Sequence, residues 1–164
     1  MKDSLQEFGE LGLGSRFKRL SDYLMKETQI IYDSLHIEFD PYLFPIFKII
    51  SDQNIVTTSE VQEQLHYTQP AITQALQKLS KRGLIQYKMD AVDKRKKLYQ
   101  LSSKGKKTHK QLIPVWETID KQVKWVTEGS STSLTRHLTY MENQFKEKSL
   151  SKRILENLKL HNHE

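Results

Sequence analysis

A mainly α fold with one small β-hairpin, laid out as a winged helix-turn-helix between long flanking helices, is the architecture this 164-residue sequence predicts. Three observations predict it. Residues 57–82 read as two short capped helices joined by a tight turn. Residues 85–101 alternate apolar and polar side chains on either side of a run of cations. Both ends of the chain carry apolar stripes at helical spacing that exceed what a winged module of about 65 residues can cover.

Thr57 and Glu60 stand as T-x-x-E. At that spacing a Thr hydroxyl accepts from the amide three residues on, while the Glu carboxylate reaches back to the Thr amide. Val56 and Val61 flank the cap where a hydrophobic staple would sit. A helix over about Thr58–Leu65 follows, its inner face marked by Val61 and Leu65. His66 and Tyr67 make the turn, and Thr68 is the next N-cap. Pro70 falls in the first turn of the second helix, where a missing N–H costs nothing. Ile72, Leu76 and Leu79 form one narrow apolar stripe. Lys81 and Arg82 favour the last turn through the helix dipole. Gly83 fits the left-handed position beyond the cap, with Leu79 and Leu84 as the apolar pair of a Schellman motif.

Gln69, Thr73, Gln74, Gln77, Lys78 and Lys81 remain on the outward face of that second helix. Amides, a hydroxyl and amines are the groups that hydrogen-bond base edges and phosphates. A polar helix face is ordinarily just solvated; its position as the second helix of a helix-turn-helix is what points to a duplex groove. Ile85, Tyr87 and Met89 alternate as a strand, and Leu98–Leu101 forms its partner. The loop Asp90–Lys97 holds four consecutive cations, Lys94, Arg95, Lys96 and Lys97. In isolation such a run solubilises a surface, whereas at a hairpin tip beside a recognition helix it is placed for a minor groove. Arg95 is the candidate for insertion, and Asp93 is spaced to orient its guanidinium. The expected DNA-contacting set is therefore Thr68, Gln69, Pro70, Ala71, Thr73, Gln74, Gln77, Lys78 and Lys81 from the helix, with Lys94, Arg95 and Lys96 from the wing.

Taken in order, these features resemble the MarR family of bacterial transcription regulators. The resemblance is carried by Gly83-Leu84-Ile85, by Asp90, Asp93 and Arg95, and by Leu101-Ser102-Ser103-Lys104-Gly105. It extends over residues 10–160 in layout, with the specific motifs confined to 57–105. Ser102 stands where the family favours Thr, and both cap helices. Gln62 and His66 stand where Ala and Gly are common. The resemblance implies a homodimer held by the terminal helices and a repressor acting on an operator. It also implies a small aromatic or phenolic effector, bound where the dimer helices meet the winged domain. His36, Phe39, Tyr42, Phe44 and Trp116 are the candidate walls of that effector site, although aromatics at such spacing more often build core.

Charge distribution agrees with a polyanion partner. The net charge is +6, yet residues 68–110 hold twelve Lys or Arg against two acids, while the rest of the chain holds fourteen against eighteen. With no cysteine there is neither a disulfide framework nor a thiol nucleophile. No 18-residue apolar run occurs, and Met1-Lys2-Asp3-Ser4 does not open a signal peptide, so a cytoplasmic protein without a membrane partner is expected. Motifs for phosphate loops, nucleophile elbows, dinucleotide sites and zinc hydrolases are absent, so neither an enzyme nor a cofactor is expected. His137, His161 and His163 lack acidic partners at ligand spacing, and no metal site is expected. The rival reading is a winged module that binds RNA or a protein through a generic basic face.

Elsewhere, residues 1–9 look irregular, and Leu13, Phe17, Leu20, Leu24, Ile31 and Leu35 predict a helix from about Glu10 to Leu35. Asp40-Pro41 opens a short helix through about Ile50, with Pro45 forcing a kink or a tight first turn. Ile55-Val56 is a candidate third strand. Ser102 caps a helix carrying Leu112, Trp116, Ile119, Val123 and Val126, bent by Pro114 and stopped at Gly129-Ser130-Ser131. A last helix runs from Ser133 with Leu134, Leu138, Met141 and Phe145 as its stripe, interrupted near Ser149. The expected organisation is a winged helix-turn-helix over 39–105 and a dimerisation region over 1–38 and 106–164. Its stripes would be buried by a second copy or, failing that, by an intramolecular three-helix bundle.

Overall fold

The computed structural model describes residues 2–128 and 133–161. The expected helix stop at Gly129-Ser130-Ser131, the tail residue His163 and the side chain of His161 lie outside the described residues. The chain divides into two compact units, Met1–Pro114 and Val115–Glu164.

The first unit opens with α1 (Ser4–Glu7), a 3-10 turn over Gly9–Gly12 and α2 (Leu13–Ser34). The expectation of an irregular start is thus corrected. Asp3 caps α1 by accepting from the Leu5 amide at 3.2 Å, and its carboxylate takes both guanidinium nitrogens of Arg19 at 3.1 and 2.7 Å. That pair spans sixteen residues. It folds the N-terminus back onto α2, which begins at Leu13 instead of Glu10.

Asp40 caps a 3-10 turn over Pro41–Leu43 by accepting from the Tyr42 amide, and α3 (Phe44–Gln53) follows with Pro45 in its first turn. The single short helix expected here is therefore two pieces, since Pro45 suits a first turn and not an interior. Next come α4 (Thr58–Leu65), α5 (Gln69–Lys81), the antiparallel hairpin β1 (Ile85–Met89) and β2 (Lys97–Leu101), and α6 (Ser103–Glu128). Register pairs Ile85 with Leu101 and Met89 with Lys97. The candidate third strand shrinks to one bridge, Val56 with Tyr99. Asn54 turns left-handed at φ 65°, the Ile55 amide is taken by the Gln53 carbonyl at 2.8 Å and Thr57 is already a helix cap, which leaves Val56 to pair.

A core of Ile46, Phe47, Ile50, Val56, Val61, Ile72, Leu76, Leu79, Leu84 and Leu112 holds these elements together. Tyr32, Phe39 and Phe47 continue it as a chain of tilted rings with centroids 5.9 and 5.0 Å apart. The apolar stripe of α2 is left largely outside: Phe17, Leu20, Leu24, Ile31 and Leu35 are all exposed. Helix α6 runs without interruption through Pro114.

In the second unit α7 (Leu134–Glu147) and α8 (Leu150–His161) meet at an extended Lys148. Arg153 bridges the joint, donating to the carbonyls of Lys148 at 3.0 Å and Gln144 at 2.8 Å. The Ser149 hydroxyl accepts from the Lys152 amide, so the predicted interruption is a capped restart. Val126, Phe145, Leu150, Ile154 and Leu155 are exposed. Among the described residues no helix is long and apolar enough to cross a membrane.

Candidate nucleic-acid interface

Helix α4 begins with the capping box its sequence predicts. The Thr57 hydroxyl accepts from the Glu60 amide at 3.2 Å, and the Glu60 carboxylate accepts from the Thr57 amide at 2.6 Å and from the Thr57 hydroxyl at 2.9 Å. Those bonds hold the Glu60 carboxyl below the ordinary carboxylate range, the backbone bond contributing most. Gln53 and Gln64 exchange amide hydrogen bonds at 2.7 and 3.3 Å and so tie the end of α3 to α4. His66 then adopts φ 53°, the left-handed geometry a tight turn needs and a glycine more commonly supplies.

Helix α5 follows from Thr68, whose backbone is extended as an N-cap requires but whose hydroxyl makes no capping bond. Its first turn is instead set by Pro70, so the hydroxyl stays available on the exposed side. Ile72, Leu76 and Leu79 are buried, which fixes the helix rotation. The opposite side presents Gln69, Pro70, Ala71, Thr73, Gln74 and Gln77 as one shallow continuous surface, with Lys78 and Lys81 exposed beyond it. Every helix residue singled out by sequence lies on this outer side.

The end of α5 is a full Schellman motif. The Leu84 amide reaches the Leu79 carbonyl at 3.0 Å and the Gly83 amide reaches Ser80 at 2.9 Å, with Gly83 at φ 69°. The Ser102 hydroxyl donates to the Gly83 carbonyl at 2.5 Å and accepts from the Gly105 amide at 2.9 Å. A Cβ on Gly105 would sit 1.9 Å from the Leu84 carbonyl oxygen, so the first turn of α6 rests directly on the chain leaving α5. Ser102 caps α6 as its sequence predicts, and with Gly105 it also welds α5, β2 and α6 into one body.

The wing is built by two aspartates. Asp90 accepts from the amides of Val92 and Asp93 at 2.9 and 2.8 Å, and Asp93 accepts from the amide and Nε of Arg95, each at 3.1 Å. For Asp90 the Asp93 amide, and for Asp93 the Arg95 side chain, is the leading cause that holds the carboxyl below its usual range. Arg95 is therefore oriented as expected while its side chain stays 91% exposed. Lys94 and Lys96 are exposed beside it. Lys97 differs: its Nζ lies 4.3 Å above the Tyr87 ring, which directs it along the hairpin.

The aromatic set expected for an effector divides between the two units. Phe39 is buried between Tyr32 and Phe47, whereas His36, Tyr42 and Phe44 are exposed on the same unit. Trp116 belongs to the second unit. Among the described residues no group of three or more His, Asp or Glu is gathered to hold a metal ion.

Three comparisons bear on this geometry. Residues 35–91 match the family model described as the iron dependent repressor, N-terminal DNA binding domain. No curated protein matches in sequence. Among solved structures, a MarR family regulator from Neisseria meningitidis, NMB1585, is similar at 18% identity and a TM-score of 0.59, over 95% of this chain and 99% of that one. The transcriptional repressor CouR, solved bound to a 23-mer DNA duplex, is similar at 20% identity and a TM-score of 0.67, over 82% of this chain and 96% of that one. BpsR of Bordetella bronchiseptica, whose DNA binding is regulated by 6-hydroxynicotinic acid, is similar at 19% identity and a TM-score of 0.59, over 81% and 90% of the two chains.

Proposed function

We propose that this chain, which has the winged helix-turn-helix fold of MarR-family regulators, is a sequence-specific DNA-binding transcription regulator of that kind. It works in the cytoplasm as a homodimer and represses by occupying a pseudo-palindromic operator. The observation that carries the reading is the outer side of α5, where Gln69, Thr73, Gln74 and Gln77 stand together on a helix whose rotation the core fixes. Amide side chains suit the paired donor and acceptor of adenine in a major groove. Thr68, Pro70 and Ala71 lie on the same surface, and Lys78 and Lys81 are placed for phosphates. Arg95, flanked by Lys94 and Lys96, serves the adjacent minor groove.

Dimerisation rests on the exposed stripes of α2, α7 and α8, which a second copy would cover. Such a dimer sets two recognition helices about 34 Å apart, one turn of duplex. Release by a small aromatic or phenolic effector, through His36, Phe39, Tyr42, Phe44 and Trp116, is supported by the behaviour of BpsR. Selection of bound fragments from random duplex DNA tests the reading. The expected result is an inverted repeat with half-sites about one helical turn apart; enrichment of no sequence, or of unpaired single sites, would contradict it.

A further inference from the structure

Ser102 makes three hydrogen bonds at the joint where the end of α5 meets the start of α6. Its amide donates to the Leu84 carbonyl at 3.1 Å, and its hydroxyl donates to the Gly83 carbonyl at 2.5 Å. The same oxygen accepts from the Gly105 amide at 2.9 Å.

The two hydroxyl bonds do different things. Accepting from Gly105 caps α6, which an Asp or Asn side chain does equally well. Donating to Gly83 ties that cap to the left-handed residue that ends α5, at φ 69°, and needs a side chain with a hydrogen to give. A hydroxyl manages both because it carries one hydrogen and two lone pairs. The joint around it has no slack. A Cβ on Gly105 would stand 1.9 Å from the Leu84 carbonyl oxygen and 3.5 Å from the Leu101 Cβ, and Leu79 and Leu84 are fully buried. Ser102 thus bears on the direction of α5 and leaves the make-up of its outer side untouched.

We infer that Ser102 is a positioning residue for duplex recognition: by holding the end of α5 to the first turn of α6 it fixes which spacing of half-sites the dimer accepts. This rests on the dimeric reading proposed above. Helix α6 leads from the joint into the second unit, where α7 and α8 carry stripes proposed to meet a second copy. A change of direction at the joint therefore changes the separation of the two recognition helices. One base pair of spacing is only about 3.4 Å, so a small change is felt.

The test is competition binding, at one salt concentration, between the duplex the parent chain selects and duplexes whose half-sites lie one base pair closer or farther apart. A duplex with a single half-site is the control. The parent is expected to prefer its own spacing about tenfold or more. Ser102→Thr keeps both hydroxyl bonds and should keep that preference. Ser102→Asp keeps the cap of α6, and with it an unfolding temperature close to the parent's, but as an acceptor alone it releases Gly83. Its spacing preference should fall to about threefold or less, while its affinity for the single half-site stays within about threefold of the parent's. Ser102→Ala, which loses both bonds, should show the same fall in preference and also unfold at a lower temperature. A preference undiminished in Ser102→Asp and Ser102→Ala, lost as well in Ser102→Thr, or lost only together with single half-site affinity, overturns the role of Ser102. A parent chain that prefers no spacing refutes the dimeric reading itself, so the two failures are distinct.

Discussion

Gly105 shows how much of this molecule is decided by single atoms. Its missing Cβ lets α6 start against the Leu84 carbonyl, which itself accepts from the Ser102 amide at 3.1 Å. Gly105→Ala must push two backbone segments apart, and overpacking of that kind costs about 1–3 kcal/mol. Urea unfolding should place the loss in that range, and a variant as stable as the parent would show that the contact is not tight. The capping box of α4 gives a second, pH-dependent prediction. The carboxyl of Glu60 is depressed in the folded chain, so its contribution is present above the ordinary carboxylate range and fades as pH falls through the folded pKa. Glu60→Ala should therefore cost most at neutral pH and little in acid. The carboxylate is exposed and screened, so the neutral-pH cost is at most about 1 kcal/mol. A cost that stayed constant on acidification would assign it to helix propensity instead.

At the scale of elements, what was legible in the sequence was what is local. The capping box, the Schellman motif and the hairpin each use residues within a few positions of one another, so α4, α5 and β1 begin and end where their patterns predict. The N-terminal turn was missed because Asp3 meets a partner sixteen residues on, and neither residue marks the other in a linear reading. The Gln53–Gln64 pair escaped for the same reason. Type and place suit Thr68 to a hydroxyl cap, but Pro70 already sets that turn. Among the candidate interface residues, those on α5 are legible because a fixed apolar stripe dictates the opposite side. The rings beside Phe39 are not legible from spacing, since only packing brings Tyr32 and Phe47 to it. The wing yields its own prediction. Arg95 is aimed outward by Asp93, so Arg95→Ala should weaken duplex binding and lower the salt slope by about one. An unchanged slope would take the wing out of the interface.

For the whole molecule, two asymmetries need explaining together: charge gathered over residues 68–110, and apolar stripes exposed on the terminal helices. The proposed dimeric duplex reader would account for both, the stripes holding two copies while the basic segments face a polyanion. Leu20→Glu with Leu24→Glu changes exposed side chains of α2 and leaves the core intact. This variant should sediment as a folded monomer at concentrations where the parent is a dimer; a persisting dimer would refute α2 as part of the interface. Sequence preference is the more central matter, since a generic basic face would bind any duplex by counterion release alone. The measurement that decides it is competition, at one fixed salt concentration, between the duplex selected from random sequence and a shuffled duplex of the same length. A preference of about 10³-fold or more is predicted, falling when Gln74 and Gln77 are replaced by Ala. Equal binding to the two duplexes would contradict the account.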